Sequence, residues 1–302
     1  MKEERRRFKL KDIPSLIKDT YNAWMANDPW RLSAVIAYYA VLSLPALLVI
    51  IINVVGSIWG VEIVQGQLTE EFSVALGSEA ASSIESIISE TQNKNKNLIS
   101  TLIGIGTLLF GATGVFYQLK ISLNQIWKVE PDPDAKIWKL ITDRARSFAF
   151  ILVIGFLLLI SFILTAAISV LNGYIKQMFP DLVIYIAYIL DMTISIGVIS
   201  VLFALMFKYL PDAYIRWKTV WKGAILTSVL FVIGKTLLGL YFAEAEPGST
   251  YGAAGTIVLI LLWVSYSCLI LFFGAQFTYI YAQRYGQGIK PSSIAKKANS
   301  RS

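Results

Sequence analysis

Read for the alternation of apolar and polar positions, the chain resolves into six long apolar stretches, near 34–57, 98–116, 147–170, 182–207, 220–243 and 252–282. Each is about the 20 residues a helix needs to cross the hydrocarbon core of a bilayer. The pattern predicts an all-α, polytopic membrane protein with six transmembrane helices. Between spans one and two, over about 58–97, apolar residues recur at helical spacing, first as Val61, Val64, Leu68, Phe72 and Ala75, then as Ala80, Ile84, Ile87 and Ile88. This predicts amphipathic external helices. Their glutamates (Glu62, Glu70, Glu71, Glu79, Glu85 and Glu90) disfavour an anionic surface, which favours a cap over the spans' outer ends above a position in the headgroup layer. After span two, YQLKISLNQIWK continues the helix and DAKIWKLITDRAR leads into span three, with VEPDPD between them. The two arms predict a cytoplasmic helical hairpin over about 117–146, its first arm stopped by Pro131 and Pro133.

The segment 12–27 is also amphipathic, with Ile13, Leu16, Ile17 and Trp24 opposite basic residues, and is expected to lie along the inner membrane surface. Three regions follow: an N-terminal segment 1–31 carrying that interfacial helix, a transmembrane domain 32–283, and a basic tail 284–302 expected to be disordered. The polar stretch before span one is too long for the n-region of a cleaved signal, so span one reads as a signal-anchor. Trp30, Trp127, Trp138, Trp217 and Trp221 mark one membrane boundary, and Trp59, Tyr174 and Tyr185 the other.

Composition supports the membrane assignment: 56% of residues are hydrophobic, 16% are charged and the mean hydropathy is +0.60, against roughly a quarter charged in soluble domains. It also removes chemistry. With one cysteine, Cys268, and no histidine, the chain cannot form an internal disulfide, lacks the usual zinc ligands and cannot use imidazole acid–base catalysis. No cofactor and no metal are expected.

Charge sets the orientation. All lysines and arginines except Lys94, Lys96, Lys176 and Lys235 fall in the N-terminal segment, the loops after spans two and four, and the tail. Those are the alternate segments that share one side of the membrane, so both termini are read as cytoplasmic. The net charge of +7 then reflects topology, and no nucleic-acid partner is expected.

Two charges lie inside spans. By helical rise, Asp191 in span four sits about 13 Å below the outer boundary and Lys235 in span five about 12 Å. A charge near mid-membrane costs on the order of 3 kcal/mol by insertion scales, so Asp191 is expected to hold Lys235. Either the pair is a buried strut between spans four and five, or it faces a cavity as a substrate or ion site. Asn53, Thr236, Tyr241, Thr250 and Tyr251 are candidates to line the same space, and Gln276 on span six is a further polar candidate. Pro45 in span one, Gly104, Gly106, Gly111 and Gly114 in span two, and Gly252 and Gly255 at the start of span six are candidate hinge or close-packing positions.

Four blocks carry a resemblance: RLSAVIAYYAVLSLPALLVI, QLKISLNQIWKV, FKYLPDAYIRWKTVWKGAIL and STYGAAGTIVLILLWVSYSCLILFFGAQF, in order across most of residues 31–280. Together they are similar to the YihY/BrkB family of bacterial inner-membrane proteins. The resemblance implies six helices and an inner-membrane address, and supplies no catalytic residues. Members have been labelled ribonuclease BN, a name regarded as a misassignment. Activities suggested for the family include export of lipid-like or amphipathic molecules, sodium/proton exchange and serum resistance. RNA hydrolysis would need acid–base groups or a metal at the phosphate. The cytoplasmic acids Glu130, Asp132, Asp134 and Asp143 lie in or beside one turn and read as solvated charges, so no enzymatic activity is expected. The leading expectation is a transporter or flippase of an anionic lipid-like or amphipathic molecule. Its partners are membrane lipids, anionic species among them, and that substrate; oligomerisation is left open. A sodium (cation)/proton antiporter working through Asp191 and a non-transporting membrane scaffold are the alternatives.

Overall fold

A computed structural model describes residues 8–76, 81, 82, 85, 86, 89, 114–131, 180–245, 247, 251, 254–292 and 295–297. After a short 3₁₀ turn, Leu10–Asp12, come helices α1 (Ile13–Ala26), α2 (Pro29–Trp59), α3 (Val61–Leu76), α4 (114–126), α5 (Pro180–Tyr209), α6 (Trp217–Ala245) and α7 (Gly255–Tyr285). Strands β1 (Val129–Pro131), β2 (Ala213–Tyr214), β3 (Lys290–Pro291) and β4 (Ala295–Lys297) complete the described elements.

Local chemistry explains the boundaries. Asp28 adopts a left-handed backbone (φ 51°) between α1 and α2, and its carboxylate accepts from the Arg31 N–H at 3.4 Å and from Arg31 Nε at 3.0 Å. Pro29 then starts α2 where a missing N–H does no harm. Gly60 at φ 94° makes the break before α3, in a region of backbone space that side-chain-bearing residues avoid.

Among the described residues, three helical segments are long and apolar enough to cross a membrane: Met192–Tyr209, Trp217–Ala245 and Gly255–Tyr285. They coincide with predicted spans four, five and six. Helix α2, 31 residues with Arg31 as its one charge, lies over predicted span one. Most of predicted span two and all of span three lie outside the described residues, as do Asp132, Asp134 and Asp143. Of the two predicted external helices, the first is α3, and of the second only residues 81, 82, 85, 86 and 89 are described, all helical.

The chain forms two compact units. One comprises Met1–Asn27, Leu123–Val232 and Leu271–Ser302; the other comprises Asp28–Ser122 and Ile233–Ile270. In the first, α6 and α7 meet through a reciprocal glycine–threonine interlock. A Cβ placed on Gly223 would collide with Thr278 Oγ1, and one placed on Gly274 would collide with Thr227 Oγ1. Each threonine donates its hydroxyl to its own helix, Thr227 to Gly223 O and Thr278 to Gly274 O, both at 2.7 Å. The donor is therefore satisfied internally while the side chain fills the opposite glycine's groove, which is how small residues bring helices together where the hydrophobic effect offers little drive. In the same unit Trp127, Phe207, Phe272 and Val220 are fully buried, the rings of Trp127 and Phe207 6.4 Å apart.

The tail differs from expectation. Rather than lacking structure throughout, it pairs β3 antiparallel with β2 and β4 antiparallel with β1, and Ser292 N–H donates to Asp212 O at 2.9 Å. Basic composition suggested a solvated segment, but the short extended runs after α4 and α5 expose backbone groups that the tail satisfies. Residues 129–131, read as a simple turn, form one of those strands.

In the second unit, one cluster joins Leu48, Ile52 and Val64 with Leu44 and Leu68. A second joins Phe242, Leu259 and Ile260 with Val41, Leu44, Leu238, Trp263 and Val264. Gly114 is in close contact with Tyr39, whose ring a Cβ there would strike, in keeping with a packing role. Gly255 is buried at the first turn of α7. The side chain of Pro45, and Gly104, Gly106, Gly111 and Gly252, lie outside the described residues, although α2 is helical through position 45.

Candidate functional site

The site is built around Lys235 in the second half of α6. Stepping about 100° per residue, Lys235 lies within about 20° of Phe242 and about 60° of Leu238. Phe242 is buried and Leu238 packs against its cluster. The preceding residue, Gly234, is buried so tightly that an added Cβ would lie 2.6 Å from Ile270 Cδ1, 2.9 Å from Tyr266 Cε1 and 3.1 Å from the Tyr266 hydroxyl. Lys235 is nevertheless exposed, and it makes no hydrogen bond or ion pair among the described residues. A cation thus sits on a largely half-buried arc of a long apolar helix, itself exposed and without a partner among the described residues, whereas such groups within a membrane ordinarily face a wet cavity or pair.

The structure distributes the other candidates differently. Thr236 and Tyr241 are exposed on arcs of α6 about 100° and 120° from Lys235. Tyr241 instead packs on Phe242, ring centroids 5.9 Å apart. Tyr251 is exposed in the connection to α7. The side chains of Asp191 and Asn53, and Thr250, lie outside the described residues. Sequence reasoning missed Tyr266, which presents its hydroxyl beside Gly234. As a lone phenol in an apolar run it gave no signal short of helix pairing.

Gln276 belongs elsewhere. It is 2% exposed and its Oε1 accepts from Asn27 Nδ2 at 3.1 Å, while Asn27 also donates to Ala23 O at 2.8 Å. This arrangement ties α1 to α7. A second polar knot, also missed, joins the end of α4 to the loop after α5. Asn124 Nδ2 donates to Asp212 Oδ2 at 2.9 Å and Asn124 Oδ1 accepts from Asp212 N–H at 2.8 Å; both residues are buried. Nearby, Trp127 Nε1 donates to Ala275 O at 3.1 Å. Lys208 Nζ donates to Ile215 O, and Lys222 Nζ to the Tyr281 hydroxyl, both at 2.5 Å. These groups are satisfied by protein, which marks them as architecture rather than as a site.

Long apolar helices carrying buried small-residue crossings and an intramembrane cation define an α-helical integral membrane protein. The sequence family described as Virulence factor BrkB matches residues 20–299, and the chain belongs to that family. It is 23% identical over 275 residues to the ribonuclease-like protein YfkH of Bacillus subtilis, covering 87% of this chain and 93% of that one. It is 26% identical over 178 residues to a UPF0761 membrane protein of Verminephrobacter eiseniae, covering 59% of this chain and 40% of that one. With a UPF0761 membrane protein of Tolumonas auensis the identity is 30% over 188 residues, 59% and 57% of the two chains. The matches to the first UPF0761 relatives therefore span only about 40% of those relatives' length. No solved structure matches the chain.

Proposed function

We propose that this membrane protein moves an anionic lipid-like or amphipathic molecule across a bacterial inner membrane, as a transporter or flippase, and that Lys235 receives the anionic head. One observation carries the reading: Lys235 is exposed and unpaired among the described residues, on an arc of α6 that it shares with the buried Phe242 and the half-buried Leu238. A purely structural lysine would be expected to have its charge neutralised by protein. In this reading the chain crosses the membrane six times with both termini cytoplasmic, helices between spans one and two stand outside, and α4 opens a cytoplasmic hairpin. The reading assigns no enzymatic step.

The test is mass spectrometry of lipids retained by the purified protein, comparing wild type with Lys235→Met, Lys235→Arg and Asp191→Asn, each checked for folding. The expected result is a specific anionic species enriched in wild type, kept by Lys235→Arg and lost in Lys235→Met. Bulk-like lipid in every folded sample would overturn the assignment. Proton-coupled sodium flux in vesicles, abolished by Asp191→Asn, would then favour the antiporter reading.

A further inference from the structure

Helix α1 has three sides rather than the two of an ordinary amphipathic helix. At about 100° per residue, Leu16, Thr20, Ala23 and Asn27 share one arc, and these residues are buried or half-buried. A second, slanting stripe carries Ile13, Ile17, Tyr21 and Met25 at successive i, i+4 positions, all exposed; it drifts about 120° round the helix, so that Met25 ends about 20° from the azimuth of Lys18, seven residues further along the axis. The third carries Lys18 and Asn22, also exposed, and continues the exposed Lys11 of the preceding turn; Ser15 and Asp19 lie between it and the first arc.

The first arc is buried or half-buried and α7 holds both of its flanks. Arg284, near the end of α7, pairs with Asp19 and donates to Ser15 Oγ at 3.3 Å. At the other end of α1, Asn27 meets Gln276 and Trp24 packs edge-on to Phe273, centroids 5.8 Å apart. Between the Arg284 and Gln276 contacts α7 rises about 12 Å, while α1 advances about 18 Å from Ser15 to Asn27. The helix therefore runs obliquely along α7, neither perpendicular to it nor parallel.

Helix α7 is itself an apolar span of 31 residues, about 46 Å long against a hydrocarbon core of about 30 Å. Its last turns, where α1 begins, thus lie at headgroup level, and the contacts at Gln276 and Phe273 lie roughly 13–18 Å further along the span. The medium beside α1 changes from headgroups to acyl chains along its length.

We infer that α1 is an oblique wedge whose stripe Ile13–Ile17–Tyr21–Met25 is seated in an anionic bilayer, entering from the headgroup layer at Ile13 and reaching the acyl boundary at Met25. The apolar stripe matches the acyl boundary. Lys11 and Lys18, near the shallow end, match anionic headgroups, where each basic residue gains from the surface potential. The sequence alone suggested a helix lying flat; its attachment along α7 gives it a slope.

Environment-sensitive fluorophores on single cysteines test this in the full-length protein, in a Cys268→Ala background reconstituted into phosphatidylcholine with or without phosphatidylglycerol. Labels on Ile13→Cys, Ile17→Cys, Tyr21→Cys and Met25→Cys are expected to shift to the blue, increasingly toward position 25. Labels on Lys18→Cys and Asn22→Cys should remain water-like. Phosphatidylglycerol should deepen the shift at positions 13 and 17, and Lys11→Gln with Lys18→Gln should abolish that increment. Water-like emission along the whole stripe would overturn the wedge, and so would equal shifts at all four positions. A stripe shift that vanishes on dilution into excess lipid would mean that a second copy covers the face. A shift indifferent to phosphatidylglycerol would refute the anionic surface.

Discussion

Replacing Gly223 by alanine tests the interlock between α6 and α7. The added methyl would occupy the position of Thr278 Oγ1 and lie 3.0 Å from Thr278 Cβ, so one of two things must give. If the helices separate, a tightly packed crossing is strained, which costs about 1–3 kcal/mol. If Thr278 rotates away instead, its bond to Gly274 O, 2.7 Å long in a fully buried setting, is lost and a polar group is left unsatisfied, again about 1–3 kcal/mol. Either route predicts destabilisation of that order. Thr278→Ala removes the colliding oxygen, so the Gly223→Ala/Thr278→Ala double variant should recover much of the loss, with a coupling energy of about 1–2 kcal/mol within the range known for contacting residues. Reversible unfolding in mixed micelles, followed by tryptophan emission for wild type, both single variants and the double variant, measures that cycle. Additive effects, or a Gly223→Ala protein as stable as wild type, would show that the two helices do not approach as described.

Asn124→Ala should destabilise the fold by about 1–3 kcal/mol, because it strips the buried Asp212 side chain and backbone N–H of one partner each; the same unfolding assay reads it. Ending the chain after Ile289 removes β3 and β4, and hydrogen exchange should then accelerate at Ala213 and Tyr214 and at Val129 and Glu130, whose strands lose their partners; unchanged protection would show that the tail contributes no clamp. Lys235→Met should leave the thermal midpoint in lipid-free detergent at or above that of wild type, since it breaks no contact to the described residues. The same variant should lose any stabilisation that added anionic lipid gives the wild type, and a midpoint below wild type in detergent would show that a group outside the described residues, such as the Asp191 carboxylate, pairs with Lys235.

Much of the fold was legible because the bilayer imposes a coarse rule. A run of apolar residues long enough to cross it must be helical, since no other single segment satisfies its own backbone groups there. Hence α2, α5, α6 and α7 fall on predicted spans. Packing detail was not legible by the same logic. The glycines singled out from sequence were the clustered ones, yet among the described residues Gly223 and Gly274, each isolated in its span, make the tightest crossing. What distinguishes them is a threonine four residues later on each helix, a relation that acquires meaning only when the two helices are antiparallel and in register. The tail was misread for a related reason. Short strands of two or three residues carry too little alternation to be seen, and their pairing depends on where the loops after α4 and α5 are brought.

The candidate site divides along the same line. That Lys235 is an anomaly could be read directly, because a charge in an apolar run is costly wherever the run goes. What answers the charge could not be read, because depth alone is a single coordinate. It placed Asp191 level with Lys235 but did not supply the azimuth that decides whether two side chains meet. The structure supplies that coordinate for the lysine, directing it along the Phe242 side of α6 while leaving it exposed. A lysine buried only to brace helices would gain by contact with a carboxylate or a backbone carbonyl, as Lys208 does with Ile215 O. Lys235 makes no such contact among the described residues, so its charge has to be met by a group beyond them, by water or by an exchangeable anion. Water and an anion are also what the proposed transport path would hold, so identifying which of the three meets the charge tests that proposal.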